Sequence, residues 1–337
     1  MESLRIVEYT QADNEEALAL EAACVQGQSL KLKFLRPSFH ARSVVYPVHR
    51  ILCARQDGRL AGVAAWARKN ISLHGRRVEA AYLYDARVHP GFRRKGVAFR
   101  LARACFEDIG PDMDLFYTWI AGQNERCLKP AMRLFGMNRM EPFTYLVFPV
   151  YRRLRVRTGA LASDASEAHR SYLRRHPGVQ CVPEWDAGTL VGHVESLKLE
   201  PSGRASCSVW SNRGLLEEQV VSVPGAYRWL RIAARPLRPW FPMPHIPEPM
   251  ETLRSWFLFD VSADCIGDLR ELLAVVNNRA FERDIQYLYW LVQDNSPWLA
   301  GIRKTGFWTF SFPYCHLAKG DHRPEPGETL YVDVKDL

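Results

Sequence analysis

Between Val88 and Ala98 the chain reads Val-His-Pro-Gly-Phe-Arg-Arg-Lys-Gly-Val-Ala, and no other segment restricts the fold as strongly. The residues before it, about Val78 to Val88, form an apolar and aromatic stretch that predicts a strand. Pro90-Gly91 is a turn signal. After it, Val97, Leu101, Ala104, Cys105 and Ile109 follow helical spacing, which predicts a helix over 97–109. A strand delivered into a helix through such a loop gathers the first free N–H groups of the helix, and the positive end of its dipole, at one point. Gly96 and the small Ala98 let a ligand come close to the backbone. Arg93, Arg94 and Lys95 put positive charge on the rim. Together these are the parts of a cradle for a pyrophosphate-like anion.

The surrounding pattern is mixed. Leu4 to Tyr9 reads as a short strand, and Asn14 is placed to cap a helix running to about Gly27. Arg50 to Ala54 and Leu60 to Ala67 form two strands turning at Asp57-Gly58, and His74-Gly75 turns the chain into the strand that ends at Val88. Beyond the helix, Asp114 to Ala121 is a strand. Asn124 then opens a helix that ends at Gly136, in which Pro130 predicts a kink or a late start. Thr144 to Val150 closes this half.

Apolar periodicity lapses between Arg155 and Ala165, which divides the chain into residues 1–155 and 163–337. In the second part, Ser206 to Trp210 and Glu217 to Val223 read as a hairpin around Asn212-Arg213-Gly214. Pro236 to Pro249 reads as a rigid loop carrying Trp240, Phe241 and Met243. Trp256 to Val261, a helix from Ile266 to about Phe281, and Ile285 to Val292 then repeat the order strand, helix, strand seen at 78–121. The repeat has lost the cradle. Its loop, Ser262-Ala263-Asp264-Cys265-Ile266-Gly267-Asp268, holds one glycine and two acidic residues that repel phosphate.

Length and composition agree with two folded domains of ordinary size or one large one: 337 residues, 47% hydrophobic and 24% charged, with ten Trp, thirteen Tyr and sixteen Phe. No apolar run is long enough to span a bilayer, and Met1 to Arg5 lacks the pattern of a signal peptide. The eight cysteines are scattered without metal-ligand spacing, so we expect reduced thiols, a cytoplasmic location and no metal. The net charge of +8 admits nucleic acid or a small polyanion. Basic residues are dispersed apart from Arg93-Arg94-Lys95 and Arg152-Arg153-Leu154-Arg155, which favours the polyanion.

The run Val88 to Ala98 resembles the signature of GNAT acetyltransferases: Val-x-Pro, then Arg/Gln-x-x-Gly-x-Gly/Ala opening a helix. The resemblance implies an α/β (α+β) fold in which the strand before the loop splays from its neighbour to admit the pantetheine arm of acetyl-CoA. Arg87, Val88 and His89 match that strand edge, and 114–121 matches the strand opposite. Over more of the chain, the order of Leu83 to Leu101, Phe148 to Tyr151, Ser208 to Trp210, Pro239 to Pro249 and Leu330 to Asp333 resembles plant Hookless-type N-acetyltransferase-like proteins. That implies a tandem GNAT fold, each half a mixed, mostly antiparallel sheet flanked by helices, with a degenerate second half. The donor site is then Arg87, Val88, His89, Arg93, Arg94, Lys95, Gly96, Val97, Ala98 and Asn124. The acceptor is a primary amine of a small molecule or peptide, and the chain is a monomer or homodimer.

Acetyl transfer to an amine needs a base for the amine, a donor for the oxyanion and a proton for the departing thiolate. Asp85 is the first candidate base, because a desolvated, tyrosine-rich strand raises a carboxyl pKa. Pairing with Arg87 is the alternative. Tyr84 is a possible relay, and Glu125 is a third group near the thiol. Asn124 either contacts the pantetheine arm or only caps its helix. The position at which many of the family carry an acidic tyrosine is Phe135, leaving Tyr117, Tyr145 or water for that step. This departure keeps a second function open: a sensor that binds acetyl-CoA without turnover. The group Trp229, Trp240, Trp256, Tyr287, Tyr289, Trp290, Trp298 and Trp308 reads as core, or as the lining of a pocket between the halves.

Overall fold

The structure is a computed structural model that describes residues 4–27, 30–184, 190, 192–200, 203–234, 242–302 and 307–337. The first half runs β1 (Arg5–Glu8), α1 (Asn14–Ala23), β2 (Lys31–Leu35), β3 (Val48–Gln56), β4 (Arg59–Leu73), β5 (Arg76–Val88), α2 (Val97–Ile109), β6 (Leu115–Ala121), α3 (Glu125–Phe135) and β7 (Asn138–Pro149). The second begins with β8 (Ala160–Ser163), α4 (Ala165–Arg175), β9 (Val182–Pro183), β10 (His193–Leu199), β11 (Ala205–Ser211) and β12 (Glu217–Ser222). It continues with α5 (Gly225–Ala234), β13 (Ser255–Ala263), α6 (Ile266–Glu282), β14 (Tyr287–Gln293), α7 (Pro297–Ile302) and β15 (Phe310–Lys319).

Local signals account for the meander. Asp57 and Gly58, at φ 52° and 73°, and His74 and Gly75, at φ 50° and 72°, make the two tight turns that align β3, β4 and β5. The α2 helix spans the predicted residues and seats Val97, Leu101, Cys105 and Ile109 on the sheet. Burying such apolar side chains stabilises by roughly 1.5–3 kcal/mol for each large one. Beneath it, a methyl on Gly62 would lie 2.9 Å from Leu101 Cδ1 and 3.0 Å from Val97 Cγ1, so only glycine lets the helix sit this close.

Three expectations are corrected. The α1 helix stops at Ala23 rather than near Gly27, and Asn14 is its first residue rather than its cap. The Asn14 side chain instead accepts from the Tyr9 hydroxyl and the Phe39 N–H. The α3 helix starts at Glu125 and continues through Pro130, which removes the late start. The hairpin expected around Asn212–Gly214 does not form: β11 lies between β10 and β13, and β12 pairs with β2 of the first half. Trp240 and Phe241 of the proline-rich loop lie outside the described residues.

Among the described residues, thirteen strands share one sheet, whose central order is β5-β6-β15-β7-β14-β13. The last strand of each half has changed sides. Strand β7 pairs with β14, β15 pairs with β6, and β7 and β15 pair with each other. Pairs β5/β6 and β13/β14 are parallel; the others are antiparallel. One apolar cluster lies under α2 and another under α6. A third contains Tyr82, Tyr84, Tyr117, Phe143, Tyr287, Tyr289 and Val334 and so joins the halves. The architecture is α/β with two GNAT-like units in one continuous sheet.

Candidate functional site

The parallel pairing of β5 and β6 holds for three residue pairs only, Ala80 with Leu115, Ala81 with Phe116 and Tyr82 with Tyr117. Both strands run on, to Val88 and Ala121, without pairing again. Beyond Tyr82 they form a fork whose β5 edge has lost its neighbour, leaving backbone donors and acceptors for an extended ligand. The cause is visible on the other side of β5. Val63 faces Arg87 and Ala65 faces Tyr84, so Asp85 and Ala86 share one partner position in a bulge. Asp85 has φ 51°, a left-handed conformation that aspartate tolerates. The bulge turns the strand away from β6.

The fork leads into the basic loop. Pro90–Phe92 make a short 3-10 turn, held by the Gly91 N–H donating to His89 Nδ1 at 3.1 Å. Arg94 and Gly96 then adopt φ 63° and 77°, and α2 begins at Val97 with no side chain capping it. The first-turn N–H groups therefore face outward beside exposed Arg93, Arg94 and Lys95. A Cβ on Gly96 would meet nothing within 4 Å, so its left-handed backbone, rather than crowding, calls for glycine.

The three catalytic candidates are brought to different surroundings. Asp85 is enclosed by guanidinium groups, with Arg36 Nη1 at 2.8 Å, Arg42 Nη1 at 3.0 Å and Arg87 Nη2 at 3.4 Å. Burial pushes its carboxyl up, but the three arginines outweigh burial and hold it well below the usual range. This is the reverse of the expected direction. The expected partner Arg87 is present, joined by two arginines that local reasoning missed. The Tyr84 hydroxyl donates to Ser43 Oγ at 2.7 Å, and burial raises its pKa. Glu125 is exposed at the start of α3 and pairs with Lys129 at 2.5 Å. Asn124 precedes that helix without a side-chain capping bond. Phe135 stacks on Phe99 and Phe106 of α2, at 5.6 and 5.3 Å between centroids, and packs the helix pair together.

Around Asp85 the structure assembles groups distant in sequence. Glu21 of α1 binds Arg36 through Nε at 2.6 Å and Arg87 through Nη2 at 3.0 Å. Two carboxylates thus face three guanidinium groups, leaving the base of the fork net positive. Arg42 also donates to the Asp336 carbonyl at 3.0 Å. The segment Val334–Asp336 lies against the fork, where Asp336 receives Lys69 at 2.6 Å and the Tyr117 hydroxyl at 2.8 Å, and its carbonyl receives the Tyr82 hydroxyl at 2.5 Å. Lys69 contacts Asp333 at 2.6 Å as well. Lys69 is thus shared between two buried carboxylates, with Lys335 at 3.8 Å from Asp333 as a second, longer contact. Burial, with Asp333 nearby, raises Asp336, whereas Lys69 and Lys335 keep Asp333 lowered against its burial. Next to these groups, burial pushes His316 down to about 3, so it is neutral. A lone arginine between Leu35 and Pro37 was the one local sign of this network.

In the second half the arrangement recurs without the cradle. Parallel pairing is again limited to three pairs, from Ser255 with Tyr287 to Phe257 with Tyr289, and Asp260 has φ 50° in a bulge. Asp260 is held by His169 Nδ1 at 3.0 Å and the Tyr331 hydroxyl at 2.8 Å. Cys265 and Asp268 cap α6 against each other where the anion loop would lie. The aromatic group divides: Trp256, Tyr287, Tyr289 and Trp290 are buried, whereas Trp229 and Trp308 are exposed. Among the described residues no cluster of three or more His, Cys, Asp or Glu converges as a metal site, and no helix is long and apolar enough to cross a membrane.

Comparison with known proteins agrees with this geometry. Residues 5–119 match the acetyltransferase (GNAT) domain family. Saccharomyces cerevisiae N-myristoyltransferase with bound myristoyl-CoA is similar over 97% of this chain and 84% of that one, at 10% identity and a TM-score of 0.65. A GCN5-related N-acetyltransferase from Anabaena variabilis is similar over 93% of this chain and 72% of that one, at 9% identity and a TM-score of 0.53. No curated protein matches by sequence. Residues 5–119 are thus matched by the GNAT acetyltransferase domain family, and the chain as a whole has the tandem GNAT fold.

Proposed function

We propose that this chain is an acyltransferase that moves an acetyl group from acetyl-CoA to a primary amine of a small molecule or peptide. The observation that carries the reading is the fork between β5 and β6 opening directly onto the loop 93–98. In this reading the β6-facing side of β5 at Arg87, Val88 and His89 takes the amides of the pantetheine arm, displacing the long contacts of Cys24 Sγ and Arg93 Nε with the Val88 carbonyl, both at 3.4 Å, with Asn124 opposite. The loop supplies the N–H groups of Gly96, Val97 and Ala98 and the charges of Arg93, Arg94 and Lys95 for the pyrophosphate. The amine nitrogen attacks the thioester carbonyl in a ternary complex. The C–S bond then breaks, the amine gives up a proton, and the sulfur leaves as a thiol. An N–H at the Asp85 bulge polarises the carbonyl, and holding the reactants together contributes much of the rate. In this reading Asp85 fixes the fork rather than acting as the base. A short acyl group is favoured because the buried, mutually hydrogen-bonded Tyr46, Lys69, Tyr82, Tyr117 and Asp336 occupy the inner side of the fork, and a long alkyl chain would have to displace them and break those bonds. The longer resemblance to Hookless-type proteins fits one donor site per chain.

The engagement of Asp85, Tyr84 and Glu125 by other side chains supports a second reading, acetyl-CoA binding without turnover. Titration of the purified chain with CoA, followed by thiol release from acetyl-CoA with a panel of primary amines, separates the two. Micromolar binding with amine-dependent thiol release supports transfer. Binding with no release on any amine supports the sensor, and no binding removes both.

A further inference from the structure

Six carboxylates in the described chain are buried: Asp13, Glu21, Asp85, Asp260, Asp333 and Asp336. Each has an arginine, lysine or histidine within 4 Å. Glu218, half-buried on β12, has none among the described residues. Its Oε2 accepts the Tyr289 hydroxyl at 2.7 Å, and burial raises its pKa. Aromatic rings adjoin it. Tyr289 lies 5.4 Å from Tyr145, and Tyr145 lies 5.7 Å from Tyr314, centroid to centroid. Neither the Tyr145 nor the Tyr314 hydroxyl has a hydrogen-bond partner among the described residues, and both residues are half-buried. Strand exchange creates this grouping, because Tyr145 comes from β7, Tyr314 from β15 and Tyr289 from β14. Tyr314 lies within electrostatic reach of both Glu218 and Arg42, so the group continues toward the base of the fork.

A carboxyl group with no cationic partner among the described residues, beside tyrosine rings and two hydroxyls without a hydrogen-bond partner there, is complementary to an organic cation. A surface salt bridge would not need the rings, and a core position would not retain the unpaired charge. We propose that Glu218, Tyr145, Tyr289 and Tyr314 form a subsite for a positively charged group, an ammonium or guanidinium, carried by the acceptor. Its assignment to the acceptor rests on the acyl-transfer reading; the cation preference does not.

Ligand-observed NMR of the full chain at pH 7.5 tests it with two probes of matched shape, butylammonium and 1-butanol. Butylammonium is expected to bind at least tenfold more tightly than butanol. Glu218→Gln should bring the two within twofold while leaving CoA affinity unchanged and the melting temperature equal or higher. Tyr314→Leu, which keeps the carboxylate, should weaken butylammonium binding at least threefold. Equal binding of the two probes by the unaltered chain overturns the proposal, as does a charge preference that survives both substitutions. A Glu218→Gln chain that fails to fold also overturns it, since Glu218 would then be a structural anchor. CoA titrated in parallel keeps the two readings apart. CoA binding without a cation preference refutes only this subsite, and a Glu218-dependent preference without CoA binding refutes only the acyl-transfer reading.

Discussion

Replacing Asp85 by asparagine asks whether this carboxylate holds the fork or performs chemistry. Asparagine keeps the shape and also tolerates the left-handed backbone at φ 51°, so the change isolates the charge. In the folded chain that charge lies against three guanidinium groups at 2.8, 3.0 and 3.4 Å, and its side chain is 2% exposed. At charge separations of about 4 Å and an effective dielectric of about 20, each pair is worth roughly 4 kcal/mol before desolvation. Desolvation offsets much of this, but removing one partner leaves buried charge uncompensated, at a net cost of about 3–5 kcal/mol. Only Glu21 then remains to balance Arg36, Arg42 and Arg87.

The pH dependence follows from the sign of the shift. A carboxyl held below its unfolded pKa contributes stability in full above the unfolded value, about 4, and loses it as pH falls further toward the folded value. Urea unfolding of both chains, followed by tryptophan fluorescence, should therefore show a gap of about 3–5 kcal/mol at pH 7. The gap should persist at pH 5 and narrow below about pH 4. A gap under about 1 kcal/mol at pH 7, of the size expected for an exposed pair, would refute the network argument. If thiol release also fell sharply in that case, Asp85 would regain its place as the base.

Gly96→Glu should abolish CoA binding by calorimetry, because it sets an anion in the cradle, while the left-handed backbone costs only about 1–2 kcal/mol of stability; CoA bound with unchanged affinity would disprove the loop assignment. Lys69→Met should lower stability at pH 7 by about 3–5 kcal/mol. Without that ammonium both Asp333 and Asp336 have raised folded pKa values, with Lys335 at 3.8 Å offsetting part of the effect. The penalty should shrink as pH falls through those values, and a penalty that grows on acidification in urea titrations would contradict this sign. Phe135→Tyr should leave thiol release within about twofold, since the ring packs between Phe99 and Phe106; a gain of tenfold, about 1.4 kcal/mol in the barrier, would place the new hydroxyl at the sulfur after all.

What could be read along the chain was whatever local chemistry determines. The ends of α2, the turns at Asp57-Gly58 and His74-Gly75 and the left-handed Gly136 after α3 follow from residues a few positions apart. The basic loop 93–96 belongs to this class, because strand, loop and helix start are contiguous. The surroundings of Asp85 do not, since Arg36 meets it from 49 positions away and the carbonyl of Asp336 reaches Arg42 from 294. The expected hairpin failed for the same reason. Asn212-Arg213-Gly214 signals a turn, but whether the next strand folds back on β11 or crosses to β2 depends on a partner in the other half. The exchange of β7 and β15 carries no local signal, because either strand would satisfy the same edge.

The internal repeat explains why only one of the two forks opens onto a basic glycine loop. In each half an aspartate stands five residues after the first parallel pair, Asp85 after Ala80 and Asp260 after Ser255, and each lies in a left-handed bulge. The bulge is therefore a property of the fold, and the aspartate is one way of occupying it. What differs is the connection that follows. Residues 89–96 separate β5 from α2, whereas only Asp264 and Cys265 separate β13 from α6. Two residues cannot turn a backbone around a pyrophosphate, and here they cap the helix instead. The partners differ in the same sense. Three arginines leave the first fork net positive, suited to a polarised carbonyl, whereas a histidine and a tyrosine close the second around Asp260. Strand exchange then gives the second half a different task. By lending β15 to the first fork and receiving β7 beside its own, it brings Tyr145, Tyr289 and Tyr314 together next to Glu218. On the proposed acyl-transfer reading, a half without a basic glycine loop is retained because it builds the wall against which an acceptor is selected.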